Sequence, residues 1–167
     1  MIRPIRRAID AHLGSRDVTR VIYGSVIGLA LVVALQAHSS TAAETAGAIV
    51  GTALAVALAD CYSRVIGAEA RTRGPVRLQQ VRSAAAEAGA VLFGAAFPAL
   101  FFVLAAGGAM DVGLAFTLAK WTGLGLICLY GFAAGRLSGS SVGGALMHAA
   151  LVGVIGAGVI ALKSLMH

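Results

Sequence analysis

The residue best placed to do chemistry in this sequence is Asp60, a carboxylic acid within a long apolar segment. An ionisable group in such a segment is costly and is a functional candidate by default. Arg64 follows four residues later, the spacing at which an acid and a base pair on one face of a helix. Three interpretations stay open: a structural Asp60–Arg64 ion pair, a transport path, and a polar partner on a neighbouring helix, Arg136 or His148.

Few other polar side chains lie in the apolar segments. Cys61 and Tyr62 follow the aspartate and Ser25 lies in an earlier segment, and together the four residues are the candidate lining of a transport path. Lys120 and Trp121 form a different pattern, because lysine reaches toward water and tryptophan favours the headgroup level. We interpret Lys120 and Trp121 as anchors at a membrane interface.

The sequence contains no recognisable metal or hydrolase motif. It has no HExxH, no CxxC and no glutamate-rich cluster. Cys61 and Cys128 lie inside apolar segments, where a thiol acts as a small hydrophobic side chain, with a ligand or a disulfide as the alternative. His148 is interpreted as a hydrogen-bonded histidine, with metal ligation as the alternative. We expect no enzymatic activity and no cofactor, with a divalent metal as a candidate substrate.

Five apolar segments must position these residues. The chain is 59% hydrophobic and 12% charged, whereas an ordinary soluble domain is roughly 25% charged. A helix needs about 20 apolar residues to cross a hydrocarbon core of about 30 Å, and continuous rather than alternating apolar runs exclude a β-barrel. The sequence therefore predicts an all-α integral membrane protein with a single transmembrane domain over residues 1–167. The five spans are predicted at about 18–37, 46–66, 88–107, 112–134 and 142–164.

The arginines predict the orientation of these spans. All eleven of them lie before or at the start of the first span, or at or after the end of the second or the fourth, whereas the loops at the other end carry Glu44 and Asp111. Short loops rich in Lys and Arg stay in the cytoplasm. We therefore expect a protein of the plasma (inner) membrane with a cytoplasmic N-terminus and an outside C-terminus. The net charge of +6 is then explained mainly by its role in orienting the spans, and in second place it attracts membrane lipid. We expect no nucleic-acid partner.

Two basic segments lie outside the predicted spans. Residues 2–16 are predicted to form an amphipathic helix in the headgroup plane, because isoleucines recur at helical spacing opposite arginines; a disordered basic tail is the alternative. Residues 67–87 form the predicted cytoplasmic segment, in which Gly74 and Pro75 mark a turn or the start of a helix. This segment is a candidate surface for a cytoplasmic protein partner.

Pairs of glycines four residues apart recur in the apolar segments. Small residues let helix backbones approach closely in lipid, where no hydrophobic force drives the helices together. We expect tight packing at these pairs and a homodimer interface at one of them, which the sequence does not specify. The pairs are Gly24/Gly28, Gly47/Gly51 and Gly131/Gly135.

Four stretches taken together resemble the vacuolar iron transporter (VIT-like) family. They are residues 16–29, 46–63, 93–98 and 123–158, and the most persuasive part runs from Gly131 to Ser141 through a small-residue helix end, an arginine and a Gly/Ser turn. The resemblance implies a VIT-like bundle of five helices, a homodimer, and a path between subunits for a divalent cation exchanged against protons. It covers nearly the whole chain.

The sequence departs from the family pattern at the positions where the resemblance would place metal ligands. Ile27 stands before Gly28 where the family has an acidic residue, and Val56 and Cys61 stand where it has methionine and glutamate. Two functions therefore follow from the sequence. The first is transport of a divalent cation or small solute by a homodimer; the alternative is a non-transporting membrane anchor or partner-binding subunit that keeps the fold.

Overall fold

Six helices account for most of the residues that the structure describes. The computed structural model describes residues 15–37 and 41–165, so residues 2–14 of the predicted amphipathic helix lie outside the described residues. The all-α prediction is confirmed. The helices are α1 (Ser15–Leu35), α2 (Ala42–Thr72), α3 (Leu78–Ala96), α4 (Ala99–Ala106), α5 (Val112–Leu137) and α6 (Val142–Leu165).

Polar side chains fix two of the helix starts at the end of the bundle that carries Glu44 and Asp111. Thr41 and Glu44 cap α2 reciprocally: the Thr41 N–H donates to Glu44 Oε2 at 2.9 Å, and the Glu44 N–H donates to Thr41 Oγ1 at 3.3 Å. Asp111 caps α5 by accepting a hydrogen bond from the Leu114 N–H at 3.0 Å. These caps satisfy amide groups that have no partner within the helix.

Proline breaks the third apolar segment into two helices. The axes of α3 and α4 differ by 52° on either side of Phe97 and Pro98. Proline has no N–H to donate and its ring collides with the preceding turn, so a bend is expected at this position. Phe97 still donates its N–H to the Phe93 carbonyl at 3.0 Å, so the backbone hydrogen bonding of α3 continues up to the bend.

The central helix of the bundle is α1, which packs mainly against α3 and α5. On one side α2 packs against α3 and α4, and on the other side α6 packs against α5. The largest apolar cluster lies among α1, α2, α4 and α5, where Phe102 and Phe116 meet edge to face with ring centroids 4.7 Å apart. Because α2 and α6 lie on opposite sides of α1, residues on α6 are remote from those on α2.

Three helices are long and apolar enough to cross a membrane, and the bent α3–α4 pair makes a fourth if it is one span. The three are the Val18–Leu35 part of α1, α2 and α5; the apolar part of α6, Val142–Gly158, is shorter. These helices are compatible with a helical membrane protein. The count of five spans stays a prediction.

The segment at 67–87 is more helical than a loop between two spans would be. Residues up to Thr72 belong to α2, and α3 begins at Leu78, so only residues 73–77 lie outside a helix. Arg73 ends α2 with a positive φ of 49°. The two helices therefore form a hairpin, and the predicted turn at Gly74 and Pro75 lies at its tip.

Two of the three glycine pairs are used within the chain. A methyl group at Gly24 or Gly28 would collide with the backbone of Val91 or Ala95 on α3. The α5 pair packs in the same way against α6, with Gly135 lying against Ala145. The α2 pair differs, because a methyl group at Gly47 or Gly51 would meet nothing within 4 Å.

Candidate functional site: a charged cluster joining three helices

Four charged side chains from three helices meet at the arginine-bearing end of the bundle. We call Arg20 of α1, Asp60 and Arg64 of α2, and Glu87 of α3 the charged cluster. Arg64 donates from Nε to Asp60 Oδ2 at 2.7 Å and from Nη2 to Asp60 Oδ1 at 2.9 Å. Its third nitrogen, Nη1, donates to Glu87 Oε2 at 2.6 Å. Arg64 therefore joins α2 to α3 through charge-assisted hydrogen bonds.

Arg20 completes the cluster from α1. Its Nη1 lies 3.5 Å from Asp60 Oδ1, and its Nη2 lies 3.4 Å from Glu87 Oε2. These separations are longer than those made by Arg64, so Arg20 contributes as a nearby positive charge more than as a short hydrogen-bond donor. Both arginines face both carboxylates.

The glycine contact between α1 and α3 explains why Arg20 and Glu87 meet. Gly24 packs against the backbone at Val91. One turn toward the arginine-bearing end from that contact, four residues earlier on each helix, come Arg20 and Glu87. Side chains four residues apart lie on the same helix face, so the close approach at Gly24 sets the register that brings the two charges together.

The charges of the cluster balance, and its side chains are largely withdrawn from solvent. Two arginines face two carboxylates; the carboxylate side chains are each 15% exposed, and those of Arg20 and Arg64 are 28% and 22% exposed. Removing charges from water is costly unless they are paired and hydrogen-bonded. The pairing offsets that cost across three helices, so the cluster fixes how α1, α2 and α3 are placed relative to one another.

The cluster lies about one hydrocarbon thickness from the other end of its helices. At 1.5 Å per residue, Asp60 is about 27 Å from the start of α2, Glu87 about 28 Å along the chain from the end of α4, and Arg20 about 22 Å from the end of α1. A hydrocarbon core is about 30 Å thick. In a membrane these charges therefore lie near one boundary of the core.

Every carboxylate oxygen of the cluster has a partner. Both oxygens of the Asp60 carboxylate accept a hydrogen bond from Arg64. Glu87 Oε2 faces both arginines, and its Oε1 accepts a hydrogen bond from Ser83 Oγ at 3.4 Å. Arginine is permanently protonated and donates only. The arrangement stabilises two anions and presents neither carboxylate as a free ligand.

The residues predicted to line a path with Asp60 lie in different surroundings. Cys61 is a half-buried free thiol, whereas the side chain of Tyr62 is 69% exposed on the outside of the bundle. Ser25 is buried, and its Oγ has no hydrogen-bond partner. A methyl group at Gly94 of α3 would lie 3.0 Å from that Oγ, which places Ser25 in the α1–α3 contact.

Two residues considered as partners of Asp60 have other interactions. Arg136 donates from Nη1 to the Ser140 carbonyl at 3.1 Å. His148 Nδ1 lies 2.9 Å from the Gly144 carbonyl, within its own helix. The two partners of Asp60 are Arg20 and Arg64.

The predicted interface anchors lie on α5, toward the end of the bundle opposite the cluster. Lys120 donates from Nζ to Gln36 Oε1, just beyond the end of α1, at 3.0 Å. Trp121 is 68% exposed. The lysine therefore joins α5 to the end of α1, and the neighbouring indole lies on the outer surface, the position expected of an anchor.

Two members of the cluster, Arg20 and Glu87, were not singled out as site residues by the sequence. The signal that could have found them is the alternation of helix direction: Arg20 near the start of α1, Asp60 near the end of the predicted second span and Glu87 near the start of the third all lie at the same level. Charges of opposite sign at one level of a bundle are natural partners.

Across residues 15–37 and 41–165, no group of three or more His, Cys, Asp and Glu side chains is arranged to hold a metal ion. No family model, curated protein or solved structure matches the chain. The geometry of the charged cluster is therefore the main guide to function, and the resemblance to the vacuolar iron transporter family stays a prediction.

Proposed function

We propose that this chain is an integral membrane protein that acts as a non-transporting membrane anchor with a VIT-like bundle. The observation that carries the proposal is the mutual pairing of all four charges of the cluster. Asp60 is the one carboxylate that the sequence places within a predicted span, and its oxygens are occupied by arginine. A divalent cation needs several oxygen ligands, and here it would first have to displace a bidentate guanidinium.

The physical role of the cluster in this proposal is to hold three helices in one arrangement. A transporter with alternating access must move one set of helices against another. Separating α1 from α2 and α3 would pull Arg20 away from both carboxylates and leave an unpaired arginine near the hydrocarbon boundary. That cost favours a bundle with a single conformation, which suits an anchor better than a carrier.

A second candidate function, transport by a homodimer, is favoured by one specific observation. The glycine row of α2 is open, and Tyr62 is exposed about three turns beyond it on the same helix. A second copy packed at Gly47 and Gly51 would bury this face. A path between two such faces would be lined by Cys61 and Tyr62, and the charged cluster would not be part of it.

Flux through reconstituted protein separates the two functions. Proteoliposomes loaded with a metal-sensitive dye would be given Fe²⁺ or Mn²⁺ with and without a proton gradient, and compared with empty vesicles. We expect the native chain to match the empty vesicles. Saturable flux above that level would overturn the anchor proposal. Asp60→Asn and Tyr62→Phe would then show whether the path runs through the cluster or along the open α2 face.

Labelling from one side of the membrane tests the predicted orientation and the five spans. With both native cysteines replaced, a single cysteine at Gly74 and another at Ser39 would be exposed to a membrane-impermeant maleimide in sealed vesicles. We expect the first to react only from the cytoplasmic side and the second only from the outside. A reporter fused after His167 should then lie outside; a cytoplasmic reporter would indicate four spans.

A further inference from the structure

The α2–α3 hairpin continues beyond the charged cluster and carries a net positive charge. We call residues 65–86 the basic hairpin. It contains four arginines and one glutamate, so its formal charge is four minus one, or +3. The arginines are Arg71, Arg73, Arg77 and Arg82, all exposed.

The arginines of the basic hairpin have no acidic partners in the part of the chain that the structure describes. The ion pairs there involve Arg20 and Arg64, which take both carboxylates of the cluster. Glu69, the hairpin's own acidic residue, makes no ion pair with a described side chain. The hairpin therefore presents a surplus of guanidinium groups to whatever surrounds it.

A groove of about 640 Å³ lies at the tip of the hairpin, and Arg77 is part of its lining. Its lining combines one arginine with hydroxyl and amide side chains and contains no acidic residue. Such donors suit phosphate oxygens, which accept several hydrogen bonds at once. The lining residues are Thr72, Gly74, Pro75, Arg77, Gln79, Gln80 and Ser83.

The distance from the cluster places Arg82 at the level of the lipid headgroups and the other hairpin arginines on the water side of that level, within reach of it through their long side chains. The headgroup layer adds about 5 to 8 Å on each side of the hydrocarbon core. At 1.5 Å per residue, Arg82 lies about 7 Å beyond Glu87 and Arg71 about 10 Å beyond Arg64. The exposed side chain of Ile66 lies closer to the cluster, about 3 Å beyond Arg64, the level at which apolar groups contact the upper acyl chains.

We propose that the basic hairpin binds the phosphate headgroups of anionic phospholipids in the leaflet on its own side of the membrane. Arg82 lies at the level of the phosphates, and the arginines and the groove nearer the tip face the headgroup layer from the water side and concentrate anionic lipid there. The proposal rests on the proposed function only in requiring that the bundle be embedded in a membrane. Arginine forms bidentate contacts with phosphate, and anionic lipids of the cytoplasmic leaflet attract juxtamembrane basic segments, which agrees with the predicted orientation.

Lipid selectivity next to the protein provides the test. The full chain would be reconstituted in phosphatidylcholine vesicles containing a trace of spin-labelled phosphatidylglycerol or spin-labelled phosphatidylcholine, and the motionally restricted fraction of each label would be measured. We expect the native chain to prefer phosphatidylglycerol by about threefold or more. In the triple variant Arg71→Gln/Arg77→Gln/Arg82→Gln the preference should fall by at least half, with the remainder due to arginines outside these three positions.

Matched variants and salt keep the test decisive. Arg136→Gln removes one arginine at the same end of the bundle but outside the hairpin, and should keep the native preference. Replacing the same three hairpin arginines by lysine should keep most of it. If the glutamine variant fails to fold, the native chain alone still answers, because about 0.5 M salt should reduce its preference sharply.

Two results would overturn the proposal: a native chain without preference for the anionic label, or a folded triple variant that keeps the full preference. The first result would leave an acidic protein surface as the partner of the hairpin. Soluble glycerol phosphate at millimolar concentration should not displace the label, because the hairpin binds headgroups held in the bilayer. Metal flux is a separate readout, so failure here does not touch the anchor proposal.

Discussion

The same substitution, glycine to alanine, should have opposite effects on two neighbouring helices. Gly28 of α1 and Gly51 of α2 each belong to a pair of glycines spaced four residues apart. A methyl group at Gly28 would lie 2.6 Å from the carbonyl oxygen of Ala95 and 3.1 Å from its Cα. At Gly51 it would meet nothing within 4 Å. The two variants therefore differ in packing while sharing their chemistry.

The magnitudes follow from two opposing terms. Alanine favours a helix over glycine by about 1 kcal/mol. At Gly28 the obstacle is backbone, which cannot rotate away, so α3 must shift from α1 at an overpacking cost of about 2–3 kcal/mol, the upper part of the usual range. We expect Gly28→Ala to lower the free energy of unfolding by about 1–2 kcal/mol, and Gly51→Ala to leave it unchanged or raise it by up to about 1 kcal/mol.

The measurement is reversible unfolding in mixed micelles, with dodecyl sulfate as the denaturant and far-ultraviolet circular dichroism as the signal. Both variants would be compared with the native chain at the same protein-to-detergent ratio. Equal stability of Gly28→Ala and the native chain would refute the packing argument. Equal destabilisation by the two variants would show that α2 makes a contact at Gly51, and a concentration-dependent loss would identify that contact as a second copy.

Other variants test the cluster, the caps and the apolar core by the same unfolding assay. Asp60→Asn and Arg64→Gln should each destabilise by about 1–3 kcal/mol, because each leaves a charge without its partner, and the double variant should cost clearly less than the sum; additive costs would contradict the pairing. Asp111→Ala should cost about 1 kcal/mol through loss of the α5 cap, and an unchanged stability would show that another group caps the helix. Phe102→Ala should cost about 3–5 kcal/mol by leaving a cavity beside Phe116. A value below about 1 kcal/mol would mean that the surrounding apolar side chains move in to fill the cavity.

The sequence predicted the features that depend on local chemistry. Continuous apolar runs indicated helices, and the spacing of Asp60 and Arg64 indicated a pair on one helix face. The bend of 52° in the third apolar segment is also local in origin, because it lies at Pro98. Each of these follows from residues within one or two helical turns, where backbone geometry alone fixes which side chains are neighbours.

Features that depend on contacts between helices could not be read from the sequence. The three glycine pairs look alike in the sequence, and only the packing shows that the pair at Gly47 and Gly51 is open. Similarly, the pairing of Arg20 with Glu87 needs the register of α1 against α3, which the close approach at Gly24 sets. A register error of a single turn would place Arg20 beside a different part of α3.

The balance of charge in the cluster also bears on how the chain enters a bilayer. Within the cluster, α2 contributes both Asp60 and Arg64, whose charges cancel. In contrast, α1 contributes only Arg20 and α3 only Glu87, and these two charges are not balanced within the cluster until the two helices pack together. A lone charge near the core disfavours insertion of an isolated helix. We therefore expect α1 and α3 to insert poorly alone and well together, with α2 between them as the chain is synthesised. Glycosylation-site mapping of truncated nascent chains would measure this, and efficient insertion of α3 without α1 would contradict it.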